Sequence, residues 1–272
     1  MKELLKTKDL QTRLKIFFDG RVEDAEVDWI ICFVCGLSRG ELYQNKPVSA
    51  SEERECFKLA QKRVKGIPLC YLFGESEFYG LKFKVCKDVL IPRFETELLV
   101  ELIIKNEKQG SGLDIGTGSG AIAITLARLA GLDMTAVDIS KKALKIAKQN
   151  AKQNDAKVKF VQSDLLEKVE GAYDFIVSNP PYIKSADILS LQTEVKDHEP
   201  HLALDGGVDG LDFYRKITEG AVKHLKKNGR IYYEIGIGQS AEVQALLQKD
   251  FKDITVVQDY SGIDRIVYAK LK

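Results

Sequence analysis

Up to about residue 74 the apolar positions recur at helical spacing: Leu10, Leu14 and Phe17 fall at i, i+4 and i+7, and Val27, Ile30, Ile31 and Val34 repeat the stripe. Several short helices follow from this pattern. A third helix is marked at both ends: Ser49-x-x-Glu52 forms a capping box, Glu52, Glu53 and Glu55 suit the positive end of the helix dipole, and Gly66 and Pro68 supply the stop. Residues 77–86 then alternate with period two, which predicts a hairpin or strand pair that bridges to the next domain.

From about residue 110 short apolar runs alternate with amphipathic stretches, the signature of a parallel sheet with helices on both faces. Strands are predicted near 111–115, 133–137, 158–162, 173–178 and 230–235, and helices over 119–130, 140–153, 212–227 and 239–249. The final runs, 254–258 and 265–269, leave no room for a crossover helix, so the sheet is expected to end in an antiparallel hairpin. The predicted class is α/β: a doubly wound, mostly parallel, Rossmann-like sheet behind a small helical domain. The expected division is 1–74 helical, 75–90 hairpin linker and 91–272 sheet domain.

Composition narrows the partners. The 272 residues carry 41 Lys plus Arg against 40 Asp plus Glu, a formal charge of +1. Neutrality does not hide opposed halves, since residues 1–85 carry net +2 and residues 86–272 net −1. A long phosphate backbone is therefore disfavoured as a partner, because such binding rests on clustered Lys and Arg. Hydrophobic residues at 44% exclude intrinsic disorder.

The five cysteines, at 32, 35, 56, 70 and 86, are odd in number and confined to the first third, which argues against a disulfide framework. Cys32-x-x-Cys35 has no second pair at zinc spacing, and both are expected as small hydrophobes of a buried helix. The apolar run around them, 29–37, is far shorter than the about 20 residues of a membrane span and is expected in the core. With no apolar signal region at the start and acidic residues among the first basic ones, a cytoplasmic protein is expected.

Two motifs carry chemistry. In Leu113-Asp-Ile-Gly-Thr-Gly-Ser-Gly120 an apolar strand runs into glycines that open a helix, a device that lets backbone approach a ligand and offers unpaired N–H groups. Asp138 ends the next apolar run, where a carboxylate accepts the hydroxyls of a ribose. Gly116, Gly118 and Ala121 also satisfy the nicotinamide or flavin fingerprint, so the motif alone is ambiguous. Asp114, placed to hold a cationic amino-acid end, and the third glycine, Gly120, favour S-adenosylmethionine. A glycine turn that merely packs strand on helix leaves Asp114 and Asp138 without a reason.

Asn179-Pro-Pro-Tyr182 follows the apolar strand 173–178, at a carboxyl end where a doubly wound sheet places its ligand crevice. A plain Asn-Pro-Pro turn is a common loop device, but it predicts neither this location nor the tyrosine. Methyl transfer to a planar nitrogen does use these groups. Asn179 Oδ1 and the Pro180 carbonyl each accept one N–H of an –NH2 group, steering a delocalised lone pair at the methyl sulfonium, while proline adds an acceptor without a competing donor. Tyr182 is expected to pack on the flat face of the acceptor group. Positioning and electrostatics suffice, and no catalytic His is required. His198 and His201 are spaced by three across Pro200, not as a metal-binding helix, so no metal is expected.

Taken together, Asp114-Ile-Gly-Thr-Gly-Ser-Gly120, Asp138 and Asn179-Pro-Pro-Tyr182 make the chain resemble the HemK-type family of peptide chain release factor N5-glutamine methyltransferases. The resemblance extends to Pro68-Leu-Cys-Tyr-Leu-Phe-Gly74, Phe78, Ile91-Pro-Arg-Phe-Glu-Thr-Glu97, Glu199-Pro200, Ala203-Leu204, Gly206-Gly207, Asp209-Gly-Leu211 and Glu234-Ile-Gly-Ile-Gly-Gln239. It departs at Phe94, where a second proline is usual, and at Leu165, where a bulky aromatic is common beside the adenine. The first departure is expected to change only local stiffness; the second leaves an apolar contact without stacking.

The resemblance implies S-adenosylmethionine as cofactor, leaving as S-adenosylhomocysteine, and the glutamine of the Gly-Gly-Gln loop of class I release factors as acceptor. It also implies an N-terminal domain that helps dock that protein. The implied cofactor residues are Asp114, Gly116, Thr117, Gly118, Ser119, Gly120, Asp138, Asp164, Leu165 and Asn179. Those facing the substrate are Asn179, Pro180, Pro181, Tyr182 and Arg93, with Asn179, Pro180 and Tyr182 catalytic. A monomer is expected. The nearest rival is an N6-adenine, N4-cytosine or RNA amino-group methyltransferase, whose acceptor nitrogen is of the same kind but whose substrate calls for a basic face. A nicotinamide-dependent dehydrogenase gives Asn179-Pro-Pro-Tyr182 no task, and a non-enzymatic interaction protein has little need of both motifs.

Overall fold

Leu10 and Leu14 are fully buried along α1 (Thr7–Phe18), and the stripe ends on Phe18, with Phe17 only half-buried and edge-on to Phe18 and Phe57. The computed structural model describes residues 5–272. They divide into two units, one holding the chain up to Gly74 together with Thr193–His198, the other Glu75–Gln192 and Glu199–Lys272. In the first unit α1 is followed by α2 (Asp24–Cys35), α3 (Arg39–Leu42), α4 (Ala50–Arg63) and α5 (Leu69–Phe73). The capping box forms: Ser49 N–H donates to Glu52 Oε2 at 2.7 Å, and Glu52 N–H to Ser49 Oγ at 3.2 Å.

On α2 the apolar run is two-faced. Val27, Ile30 and Ile31 are buried, but Trp29 and Phe33 are each 44% exposed, which corrects the expectation that the whole run is core. Cys32 and Cys35 are likewise only partly buried, and the buried thiol is Cys56. Burial pushes the Cys56 thiol up to about 12, which keeps it protonated and unreactive at neutral pH. Thr193–His198 joins this unit through Arg63, which pairs with Glu26 at 2.5 Å and also with Glu194.

The second unit opens with the antiparallel hairpin β1 (Glu75–Phe78) and β2 (Leu81–Lys84). It continues through α6 (Phe94–Asn106), β3 (Ser111–Ile115), α7 (Ala121–Ala130), β4 (Asp133–Asp138), α8 (Lys141–Gln153), β5 (Val158–Gln162) and β6 (Tyr173–Ser178). After α9, the Thr193–His198 segment of the first unit, come α10 (Asp212–His224), β7 (Leu225–Glu234), α11 (Ser240–Leu247), β8 (Phe251–Gln258) and β9 (Asp264–Leu271). The sheet order is β5-β4-β3-β6-β7-β9-β8. From β5 to β7 the pairing is parallel, and β9 runs antiparallel to both β7 and β8, as the short final connection predicted.

Alternation sends neighbouring residues to opposite faces of this sheet. Ile176 and Tyr233 join one core with Tyr214 and Phe251, while Phe175 and Tyr232 join the other with Leu99 and Met134. Both faces are covered, which is why the strands read as nearly continuous apolar runs. The pattern assigned no element to residues 94–106, where α6 buries Thr96, Leu99, Val100 and Ile103. Phe94, the departure in the loop, is the first residue of α6 and 71% exposed. Among the described residues no helix is long and apolar enough to cross a membrane.

Close approach between strands demands a glycine at 112. A Cβ there would lie 2.2 Å from Phe175 Cζ and 2.7 Å from Met134 Sδ, both in the core. Gly112→Ala is therefore expected to cost about 1–3 kcal/mol through overpacking. Urea unfolding checks this as a lower midpoint at unchanged slope; an unchanged midpoint contradicts it.

Candidate active site

Strand order reverses at β3: the chain leaves it for β4 and β5 on one side and returns as β6 on the other. In the parallel pairing Ile115 stands opposite Ser178, so Gly116 and Asn179 leave the sheet from adjacent strand ends. Ser178 Oγ donates to the Ile115 carbonyl at 2.7 Å and ties the two ends together. A cavity of about 320 Å³ opens there, with Gly116, Gly118, Asp138, Asn179, Pro180 and Pro181 on its wall. The two motifs, more than sixty residues apart, thus form one site at the topological switch point.

The glycine loop is docked on the end of β4, where Gly116 and Thr117 both donate to the Val137 carbonyl at 2.9 Å. Gly116 and Gly118 adopt left-handed φ of 75° and 55°, and no atom stands within 4 Å of where their Cβ would be, so backbone faces open space. Asp138 accepts from Gly118 N–H and Ser140 N–H, each at 2.8 Å, and burial pushes its carboxyl up. Each of its oxygens keeps a second lone-pair site for a hydroxyl. Asp164 and Leu165 complete this side, Leu165 with a left-handed φ of 45°.

Four expected cofactor residues lie behind the wall instead of on it. Asp114 is fully buried; its Oδ2 accepts from Thr117 Oγ at 2.6 Å, while Oδ1 has no hydrogen-bond partner among the described residues. Burial pushes this carboxyl up to about 7. Ser119 offers its carbonyl to Asn150 Nδ2 at 2.9 Å, and Gly120 packs against Ile124 and Ala147. Asn150 also exchanges hydrogen bonds with the Lys84 backbone, so one buried amide joins glycine loop, hairpin and α8. It was not singled out from sequence, although a polar residue on the apolar stripe of α8 is a legible signal.

The Asn-Pro-Pro-Tyr turn is held from its far side. Gln239 Nε2 donates to the Tyr182 carbonyl at 3.0 Å, and its Oε1 accepts from Gly236 N–H at 3.0 Å. Gly206 passes so close that a Cβ would meet Pro181 O and Tyr182 Cα at 2.8 Å. The Tyr182 ring packs against the core on the Gly236 side and is absent from the cavity wall, and burial pushes its phenol up to about 12. Arg93 is engaged with buried Glu199, donating to both carboxylate oxygens at 2.6 and 2.8 Å. That pair fixes the start of the segment whose Pro200, Leu202 and Ala203 reach the cavity.

Behind Asn179 lie two residues to which sequence gave no role. Thr96 Oγ1 donates to Glu234 Oε2 at 2.6 Å, and Asn179 Nδ2 stands 3.2 Å from Thr96 Oγ1. Phe213 and Lys216 of α10 also line the cavity, and Phe213 gives it an aromatic ring that Leu165 does not. Among the described residues no group of three His, Cys, Asp or Glu converges in a way that could hold a metal ion.

Sheet order, glycine loop and Asn-Pro-Pro-Tyr turn at one switch point define a Rossmann-like methyltransferase of class I. Solved structures share that fold. A methyltransferase from Pyrococcus furiosus matches with a TM-score of 0.56 at 19% identity, over 71% of this chain and 90% of that one. The hMettl16 catalytic domain, solved in complex with the MAT2A 3'UTR hairpin 6, matches at 0.57 and 19%, over 81% and 82%. Residues 94–208 match the Methyltransferase small domain family and residues 18–74 the PrmC N-terminal domain family.

Full-length relatives are far closer. A release factor glutamine methyltransferase of Geobacter sulfurreducens is 42% identical over 92% of this chain and 91% of its own length. Those of Bacillus cereus and Lactococcus lactis are 40% and 48% identical, over 93% and 75% of this chain and 94% and 77% of theirs. The chain belongs to the release factor glutamine methyltransferase family.

The buried Asp114 carboxyl has a measurable consequence. Its folded pKa near 7 lies above the ordinary value of 3.8, so the folded chain retains a proton that the unfolded chain has released. Its contribution to stability therefore falls as pH rises from about 4 to about 7, and is constant above. Relative to wild type, Asp114→Asn is expected to gain up to about 4 kcal/mol across that window in the absence of ligand. Chemical unfolding at a series of pH values tests it; a constant difference contradicts it.

Proposed function

We propose that the chain transfers the methyl group of S-adenosylmethionine to the side-chain amide nitrogen, N5, of the glutamine in the Gly-Gly-Gln loop of class I peptide chain release factors. The observation that carries this is the meeting of Gly116 and Asn179 at adjacent strand ends around one cavity, in a chain of this family. The donor set suits the cofactor. Asp138 retains lone pairs for ribose hydroxyls, and the open backbone at Gly116 and Gly118 admits the methionine part, while the buried Asp114 acts from behind the wall by holding the Thr117 hydroxyl. Bound there, S-adenosylmethionine supplies an electrophilic methyl on a sulfonium and leaves as the neutral thioether S-adenosylhomocysteine.

The residues of the turn act on the glutamine. Asn179 Oδ1 and the Pro180 carbonyl each accept one N–H, which fixes the amide in plane and points its lone pair along the line of transfer. As the N–C bond forms, positive charge develops on the nitrogen, and the same two acceptors stabilise it. The extra proton then leaves to water, so no strong base is needed. Arg93 acts through Glu199 in shaping the substrate side, and Pro181 stiffens the turn. The proposal takes the chain as a monomer that acts in the cytoplasm, where release factors are used. Near-neutral charge in both halves favours a protein loop over nucleic acid as the substrate.

Offered methyl-labelled cofactor with a release factor, DNA or RNA, the chain is expected to label only the release factor; label in nucleic acid alone contradicts the proposal. Asn179→Ala is expected to lower kcat by about 10²–10³ while calorimetry finds cofactor affinity largely preserved. Turnover at the wild-type rate would remove Asn179 from the site.

A further inference from the structure

Glu234 ends β7 and is 3% exposed; Thr96, on the first turns of α6, is 5% exposed. Because Ser178 pairs with Tyr233, the residues that follow, Asn179 and Glu234, stand side by side. Between them the donors and acceptors leave little freedom. An ionised carboxylate only accepts, so the Thr96 hydroxyl proton goes to Glu234, 2.6 Å away. The Thr96 oxygen is then left as an acceptor, and the only group of Asn179 that can donate to it is Nδ2, at 3.2 Å. Asn179 also stabilises the Glu234 carboxylate. With Nδ2 held on that side, Oδ1 is the end turned to the cavity.

We propose that Thr96 and Glu234 are positioning residues whose hydrogen-bond chain fixes the Asn179 amide with its oxygen toward the substrate nitrogen, and that the negative charge of Glu234 selects this orientation. The proposal rests on Asn179 accepting an N–H of the substrate amide. Protonation of Glu234 reverses the chain: its O–H donates to Thr96, the Thr96 hydroxyl turns to Asn179, and Oδ1 swings round to accept it. The cavity then meets an –NH2 group, which opposes the N–H groups of an incoming glutamine. The ionised form is the active one.

Burial pushes the Glu234 carboxyl up to about 7, so the switch falls in the neutral range. Every packed element contributes to its surroundings. Thr96 and Asn179 stabilise the charge by hydrogen bonding and Arg265 of β9 by attraction, while Glu95 of α6 opposes it. Tyr182 and Tyr214 stand nearby with their phenols pushed up by burial and so neutral, and Tyr214 donates to the Glu234 carbonyl at 2.8 Å.

The test uses the full chain with S-adenosylmethionine and a release factor, and measures kcat and both KM values from pH 5.5 to 9. Wild-type kcat is expected to rise with pH through about 7, and Glu234→Gln, which keeps an acceptor but loses the charge, is expected to lack that limb. Thr96→Val and Glu234→Gln are expected to lower kcat by about a hundredfold with little change in cofactor KM, and Thr96→Ser to restore most of it. Should Thr96→Val not fold, the pH profiles of wild type and Glu234→Gln decide. Folded variants with wild-type kcat and pH dependence, beside an inactive Asn179→Ala, would overturn the positioning chain alone. Full turnover by Asn179→Ala would overturn the acceptor role and this proposal with it.

Discussion

The register of β3 against β6, with Ile115 opposite Ser178, is the constraint on which the site depends. A parallel pair carries its two carboxyl ends to the same edge, and this pair is the one at which the strand order turns back. A slip of one residue would turn Phe175 and Val177 into the opposite core and part the glycine loop from Asn179. Gly112, which alone lets β3 lie against the Phe175 ring, and Ser178, which bonds the Ile115 carbonyl, hold the register at its two ends.

On that frame the proposed transfer relies on hydrogen-bond acceptors rather than on a conventional base, and two buried acids stand behind them. Asp114 and Glu234 are both carboxyls taken fully out of water, a costly arrangement unless a cation or hydrogen bonds compensate. For Asp114 the compensation within the chain is the Thr117 hydroxyl and a backbone hydrogen bond from Ala123, and burial still pushes its carboxyl up to about 7. For Glu234 it is the Thr96 hydroxyl, the Asn179 amide and the attraction of Arg265.

Much of this was legible in the chain because it is local. Capping box, alternating strands, glycine loop and the Asn-Pro-Pro-Tyr turn each occupy one short stretch, and the final hairpin followed from a connection too short for a helix. Contacts that span the sequence were not legible. Thr96 and Glu234 are 138 positions apart, and nothing in either segment marks them as partners. Thr193–His198 belongs with the first helices through Arg63 and Glu194, 131 positions apart. Helix α6 was masked because Leu98, Leu102 and Ile104 add apolar residues beside its buried stripe and blur the period. Asp114 was expected at the cofactor from its sequence position; its side chain is fully buried and absent from the cavity wall.

Near-neutral charge, first a reason to set nucleic acid aside, fits a site whose acceptor is an uncharged amide. The most direct measurement is therefore the position of the transferred methyl. Fragmentation mass spectrometry of a release factor incubated with this chain and S-adenosylmethionine should find one added methyl, on the side-chain nitrogen of the Gly-Gly-Gln glutamine. An unmodified glutamine, or a methyl carried on any other residue, would contradict the account.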